Sequence, residues 1–149
     1  MNDNYHFLTS PGKWTGEGKI TLTLLDNESF TYVTKWDIGK ATKKGVLKAV
    51  QEIQINGMSD IMHNHFIITD MKEKGFNIEL TNQAIGKVVG SGLVSMDRLA
   101  WEFRLGELGF EGFESYEAGK EGGYSVHAEY ATVDDFRTVI HGKMWKTGD

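Results

Sequence analysis

The sequence of 149 residues contains no cysteine, a single proline and no long apolar run. Without cysteine the chain forms neither disulfides nor thiolate ligands, which is compatible with a reducing compartment, and a cytoplasmic location is the expectation. No apolar stretch approaches the roughly 20 residues of a membrane-spanning helix, so no membrane span is expected. The first ten residues also lack a basic segment followed by an apolar core, so no signal peptide is predicted.

The chain also lacks an excess of positive charge and the short motifs that identify common catalytic sites. Its formal net charge is −5 at pH 7, whereas a nucleic-acid partner would require a concentrated basic face. There is no Gly-x-Ser-x-Gly elbow, no phosphate-binding loop, and no Gly-x-Gly-x-x-Gly turn between a strand and a helix. We therefore predict no nucleic-acid partner and no particular catalytic reaction, and these motifs point to no cofactor.

The chain contains many glycines and a period-two alternation of apolar and polar residues. The 18 glycines against one proline suit many strands joined by glycine-containing turns better than a helical bundle. Apolar and polar residues alternate in about ten segments, which predicts β-strands. The predicted strands are 14–25, 29–38, 46–56, 61–69, 76–81, 87–96, 98–105, 112–118, 123–132 and 136–146.

The length and the short turns together predict the architecture. A chain of 149 residues suits one domain, which would span residues 1–149. Consecutive strands with short connections favour an all-β, antiparallel up-and-down β-barrel of about 8–10 strands, because closing the sheet removes its exposed edges.

The opening of the first predicted strand carries a short motif. Gly12-Lys13-Trp14 resembles the Gly-x-Trp pattern that opens the first strand of lipocalins and their calycin relatives. The longer run from Gly12 to Gly18, Gly-x-Trp-x-Gly-x-Gly, resembles the opening of the nitrobindin-like haem-binding barrels. The resemblance implies a calycin or lipocalin-like barrel with the tryptophan plugging one end. From the haem-binding barrels it also implies a haem held by a histidine of the final strand, where His141 is the corresponding residue.

The predicted inner face of the barrel carries a set of aromatic side chains. They are Tyr32, Trp36, Trp101, Phe103 and Tyr130. Core aromatics usually fill a core, and these residues could do no more than that. A barrel of about ten strands, however, encloses more volume than wall side chains normally fill. The leading hypothesis is therefore that a small apolar or amphipathic molecule binds inside and that these aromatics contact it.

The histidines supply two alternative hypotheses. In the segment IMHNHFIITD, alternation puts His63 and His65 on one strand face, where they could serve a metal-dependent barrel enzyme with a third ligand from His127 or Glu129. The same residues could instead point to water, because both faces of that strand carry apolar side chains. On the final strand the apolar residues favour an outward His141, whereas a β-bulge near Gly142 would turn it inward as a haem ligand.

An acidic stretch follows the seventh predicted strand. It consists of Glu107, Glu111, Glu114, Glu117 and Glu121. Glycines interrupt it and no partner for these carboxylates can be identified from spacing alone. We predict that the stretch is a solvated edge or loop.

Overall fold

The computed structural model describes residues 7–23, 28–105, 110–119, 122–131 and 137–148. A short 3-10 turn, Phe7–Thr9, precedes ten strands. The strands are β1 (Gly12–Leu22), β2 (Glu28–Ile38), β3 (Leu47–Ile55), β4 (Ile61–Thr69), β5 (Gly75–Asn82), β6 (Gly86–Val94), β7 (Arg98–Leu105), β8 (Phe110–Ala118), β9 (Tyr124–Ala131) and β10 (Arg137–Gly148). In the described part of the chain, no helix has the length and apolar character needed to cross a membrane.

The ten strands form one closed antiparallel barrel. Each strand pairs with its neighbours in sequence, and β1 closes the sheet by pairing with β10. The closing ladder runs from Lys13 opposite Gly148 to Leu22 opposite Thr138. The predicted antiparallel up-and-down β-barrel is confirmed, and the described strands leave no unpaired sheet edge.

Side-chain burial follows the period of two along the strands. In β2, for example, Tyr32, Trp36 and Ile38 are buried, while Lys35 and Asp37 between them are exposed. In the other strands, too, every second residue faces the interior, because a strand places alternate side chains on opposite faces of the sheet. The apolar core therefore fills the interior of the barrel, which we call the lumen, and the charged residues of the strands lie on the outer wall, with the exception of Glu114.

The 3-10 turn fills one end of the lumen, which we call the plugged end. Phe7 and Leu8 are completely buried there. The ring of Phe7 lies 4.7 Å from that of Tyr116 and 5.2 Å from that of Trp36, measured between ring centroids. The indole N–H of Trp14 donates a hydrogen bond to the Ser10 carbonyl, with a distance of 3.2 Å, and so ties the turn to β1. We call the opposite end of the barrel the far end.

Glycines inside the barrel make room for aromatic rings, and Gly92 gives a measurable case. A Cβ atom at this position would overlap the buried ring of Phe76 on β5. We expect Gly92→Ala to lower the free energy of unfolding by about 1–3 kcal/mol, because the ring must leave its packed position. Urea unfolding followed by tryptophan fluorescence measures the change.

The matched control for this prediction is the neighbouring residue Ser91, whose side chain is exposed. Ser91→Ala should change the free energy of unfolding by no more than about 0.5 kcal/mol. Equal stabilities of the Gly92→Ala and Ser91→Ala proteins would contradict the close packing of Phe76 on Gly92.

Candidate functional site

A row of hydrogen-bonded polar side chains lines one side of the lumen, along the neighbouring strands β2 to β5. The Gln51 amide donates to the Thr34 hydroxyl at 3.2 Å and accepts from the Asn64 amide at 3.0 Å. The Asn82 amide donates to Asn64 at 3.0 Å, and its own oxygen accepts two backbone N–H groups of the turn after β5. Buried polar groups are costly unless they are paired. This row satisfies its members with one another and makes one side of the lumen polar.

A buried carboxyl group lies on β8. Glu114 is 7% exposed, and its two carboxyl oxygens accept hydrogen bonds from the hydroxyls of Tyr116 and Tyr130. Burial raises the pKa of Glu114, and the two tyrosine hydrogen bonds only partly oppose that rise. None of the ion pairs formed by the described residues involves this carboxyl group. Among the described residues, the buried acid therefore has no positively charged partner.

The tyrosines near Glu114 are hydrogen-bond donors over the whole physiological pH range. Burial, with the Glu114 charge as the second cause, raises the pKa of Tyr116 and Tyr130 well above 10. The same two causes raise the pKa of Tyr32 to about 12. The Tyr32 hydroxyl lies over Gly142 of β10, where a Cβ atom would overlap it. Two protonated phenols thus donate hydrogen bonds to the acid, and the Tyr32 side chain is buried in the same interior.

The far end of the lumen is apolar. Ile20, Tyr32 and Ile55 are buried there, as a hydrophobic cluster separate from that of the plugged end. Partly buried apolar residues pack against this cluster; they are Leu22, Phe30, Ile53, Met58 and Ile140. A molecule that enters from the far end would therefore pass apolar side chains before it meets the polar groups.

The five aromatic residues predicted to contact a ligand all lie on the inner face. Tyr32, Trp36, Trp101 and Phe103 are buried, and Tyr130 is half-buried. They do not form one group, however. Trp36 and Trp101 belong to the aromatic cluster around Phe7 at the plugged end, and Tyr130 packs against the same core and donates a hydrogen bond to Glu114. Tyr32 belongs to the hydrophobic cluster of the far end. Their contact with a ligand stays a prediction.

His63 and His65 lie on the outer wall of β4, and both are exposed. The His63 imidazole pairs with the Glu52 carboxylate of β3 at 3.2 Å. Among the described residues, no three side chains of histidine, cysteine, aspartate or glutamate are grouped closely enough to hold a metal ion. The predicted third ligands, His127 and Glu129, belong to β9, which is not a neighbour of β4 in the sheet.

His141 also lies on the outer wall. The β9–β10 ladder continues without a break from His141 to Gly142, so the bulge that would have turned the imidazole inward is absent from this ladder. The side chain is exposed. A haem inside the barrel would not meet this imidazole, and a haem held by His141 would have to lie on the outer surface.

The acidic stretch is only partly solvated. Glu111, Glu114 and Glu117 lie on β8, which overlaps the strand predicted at 112–118. Glu111 and Glu117 are exposed, in agreement with a solvated edge, but Glu114 is buried, so the prediction is wrong at that residue. Glu107 and Glu121 lie outside the described residues. The parity of the positions was the available signal, because Glu114 shares a strand face with Tyr116 and not with the other two glutamates.

Comparison with known proteins gives no family assignment. No protein-family model matches this chain, and no curated protein matches it. The resemblance of the opening motif to calycin barrels therefore stays a prediction. Within the structure, Trp14 of that motif is buried at the plugged end, and Gly18 lies so close to the β10 backbone that a Cβ atom would overlap it.

Proposed function

We propose that the protein binds a small amphipathic molecule in the lumen of the barrel, through its far end. The observation that carries this proposal is the buried acid Glu114, which lacks a counter-charge among the described residues, in an interior whose far end is apolar. Burying a carboxyl group without a counter-charge costs free energy, which a core built from apolar residues at Glu114 and at both tyrosine positions would avoid. A ligand that pairs with the Glu114 carboxyl group would account for its place in the core.

The surroundings of Glu114 indicate which ligands fit. The apolar body of the molecule would lie against Ile20 and Ile55, while its polar end would reach the carboxyl group and the Tyr130 hydroxyl. An amine would supply the missing positive charge, and an alcohol would donate a neutral hydrogen bond. A carboxylate would be repelled by Glu114 in its ionised form. The favoured ligand is therefore a small amphiphile with a hydrogen-bond donor and no negative charge.

The test uses three probes that share one alkyl chain: decylamine, 1-decanol and decanoate. Binding is measured by the change in tryptophan fluorescence, since Trp36 and Trp101 lie in the same lumen. We expect decylamine and decanol to bind saturably, with decanoate weaker by about tenfold or more, because a tenfold ratio needs only about 1.4 kcal/mol of charge repulsion.

Two variants complete the experiment. Glu114→Gln should weaken the binding of decylamine by about tenfold and change that of decanol much less, because it removes the charge and keeps the shape. Glu117→Gln, on the exposed face of the same strand, serves as the matched control and should change neither. The proposal is wrong if none of the probes binds saturably, or if the two variants bind decylamine equally.

A further inference from the structure

Two imidazoles meet on the outer wall, away from the lumen. His127 of β9 and His141 of β10 are direct partners in the antiparallel ladder. Their ring centroids lie 4.4 Å apart, and the two Nδ1 atoms are separated by 3.1 Å. No other pair of histidine rings is in contact in the described part of the chain.

The distance between the two nitrogens matches the bite of a chelated metal ion. Zinc binds histidine nitrogen at about 2.0–2.1 Å. Two such bonds at a right angle or a tetrahedral angle place the nitrogens about 2.9–3.4 Å apart, by trigonometry from that bond length. The observed 3.1 Å lies inside this interval. The two side chains therefore already have the separation that a single metal ion requires.

A carboxylate sets the tautomer of the first imidazole. His127 Nε2 lies 3.0 Å from Glu129 Oε2, and the carboxylate can only accept, so the imidazole proton sits on Nε2. Nδ1 then carries a lone pair that faces His141. Hydrogen bonding of the outer nitrogen to a carboxylate is the usual support of a metal-binding histidine, because it orients the ring and makes it a better ligand.

The carboxylate is itself held in place. Arg137 donates a hydrogen bond to the second oxygen of Glu129 at 3.2 Å. His127 and Arg137 therefore hold the two carboxylate oxygens of Glu129 in fixed positions behind the His127 ring.

We propose that His127 and His141 form a surface site for a divalent transition metal ion. The two Nδ1 atoms are its ligands, and water completes the coordination, since the described residues offer no third metal-binding side chain at this place. Imidazole nitrogen suits copper, nickel and zinc, and Cu²⁺ binds most tightly in that series. The site is independent of ligand binding in the lumen, because the barrel wall separates the two.

The surroundings leave the metal ion accessible. A groove of about 420 Å³ runs beside His141 on the outer wall, and Lys19 and Lys143 are among its lining residues. Lys19 is the ladder partner of His141 on β1. The two ammonium groups oppose a bound cation, and salt screens this repulsion, so the affinity should rise with ionic strength. Because the groove is open to solvent, water can occupy the remaining coordination positions of the metal ion.

The second histidine pair of the chain provides an internal control. His63 and His65 are exposed on another part of the wall, and the His63 imidazole is paired with Glu52. The test titrates the full protein with Cu²⁺ at pH 7.5, by calorimetry and electron paramagnetic resonance. We expect one ion per chain with two nitrogen ligands.

Three variants decide the outcome. The His127→Ala, His141→Ala double variant should bind Cu²⁺ at least about 100-fold more weakly, whereas His63→Ala, His65→Ala should keep the affinity of the parent protein. Glu129→Gln should weaken binding by about tenfold, the lower limit for loss of a carboxylate behind a metal-binding histidine. Circular dichroism checks that each variant is folded. Undiminished Cu²⁺ binding by the His127→Ala, His141→Ala protein, or loss of binding in the other double variant, would overturn the assignment.

Discussion

Replacing Phe7 with alanine should lower the free energy of unfolding by about 3–5 kcal/mol, the usual cost of truncating a fully buried phenylalanine. The ring has no exposed surface and contacts five other aromatic rings at the plugged end. Its loss leaves a cavity that the barrel walls cannot close, because the strands on either side are fixed by their ladders. Urea unfolding at pH 7 gives the value.

The same substitution on the outer wall is the control. Phe113 is 38% exposed, and its ring contacts the imidazole of His127. Phe113→Ala should cost less than about 1 kcal/mol, as surface substitutions usually do. If the two variants lose equal stability, the 3-10 turn does not plug the barrel as described.

Replacing Glu114 with leucine should lower the free energy of unfolding by about 2–6 kcal/mol. The substitution removes the acceptor of the Tyr116 and Tyr130 hydroxyls. Each buried donor left without an acceptor costs about 1–3 kcal/mol. Glu114→Gln is the matched control, because the amide keeps an acceptor oxygen and adds a donor. Urea unfolding of both variants at pH 7 measures the difference, and a leucine variant as stable as the glutamine variant would contradict the hydrogen-bonded arrangement.

The glutamine variant should also change how stability depends on pH. Burial raises the folded-state pKa of Glu114 above its ordinary value of 4.5. A raised carboxyl pKa contributes stability that is fully present below the unfolded-state pKa and is lost as the pH rises through the folded-state pKa. The parent protein should therefore lose stability relative to Glu114→Gln as the pH rises from about 4. Parallel stability curves for the two proteins would contradict this.

The strands could be predicted from the sequence because each turn is short and each strand alternates. The predicted segments 61–69 and 98–105 agree with β4 and β7 to the residue. Boundaries moved where pairing extends a strand, as in β10, which continues to Gly148 because it pairs with β1 at the closure. Such long-range pairing leaves no local signal in the sequence.

The candidate sites could be predicted only in part. Tyr32 and Tyr130 were expected on the inner face, where both lie, and Tyr130 donates a hydrogen bond to the acid. Glu114 itself was missed because a charged residue among other charged residues is usually on the surface. The pairing of His127 with His141 was missed as well, since it depends on the register of β9 against β10, which alternation alone does not determine.

The closure of the barrel has a consequence for the order of folding. The hydroxyls of Thr15 and Thr147 lie 3.2 Å apart although 132 residues separate them in the chain. While the protein is being synthesised, β1 therefore has one open edge until the last strand has left the ribosome. Joining such distant segments costs loop-closure entropy and slows folding, as in other proteins dominated by non-local contacts. The interval before closure is when a growing chain is most exposed to strand pairing with a neighbouring copy of itself.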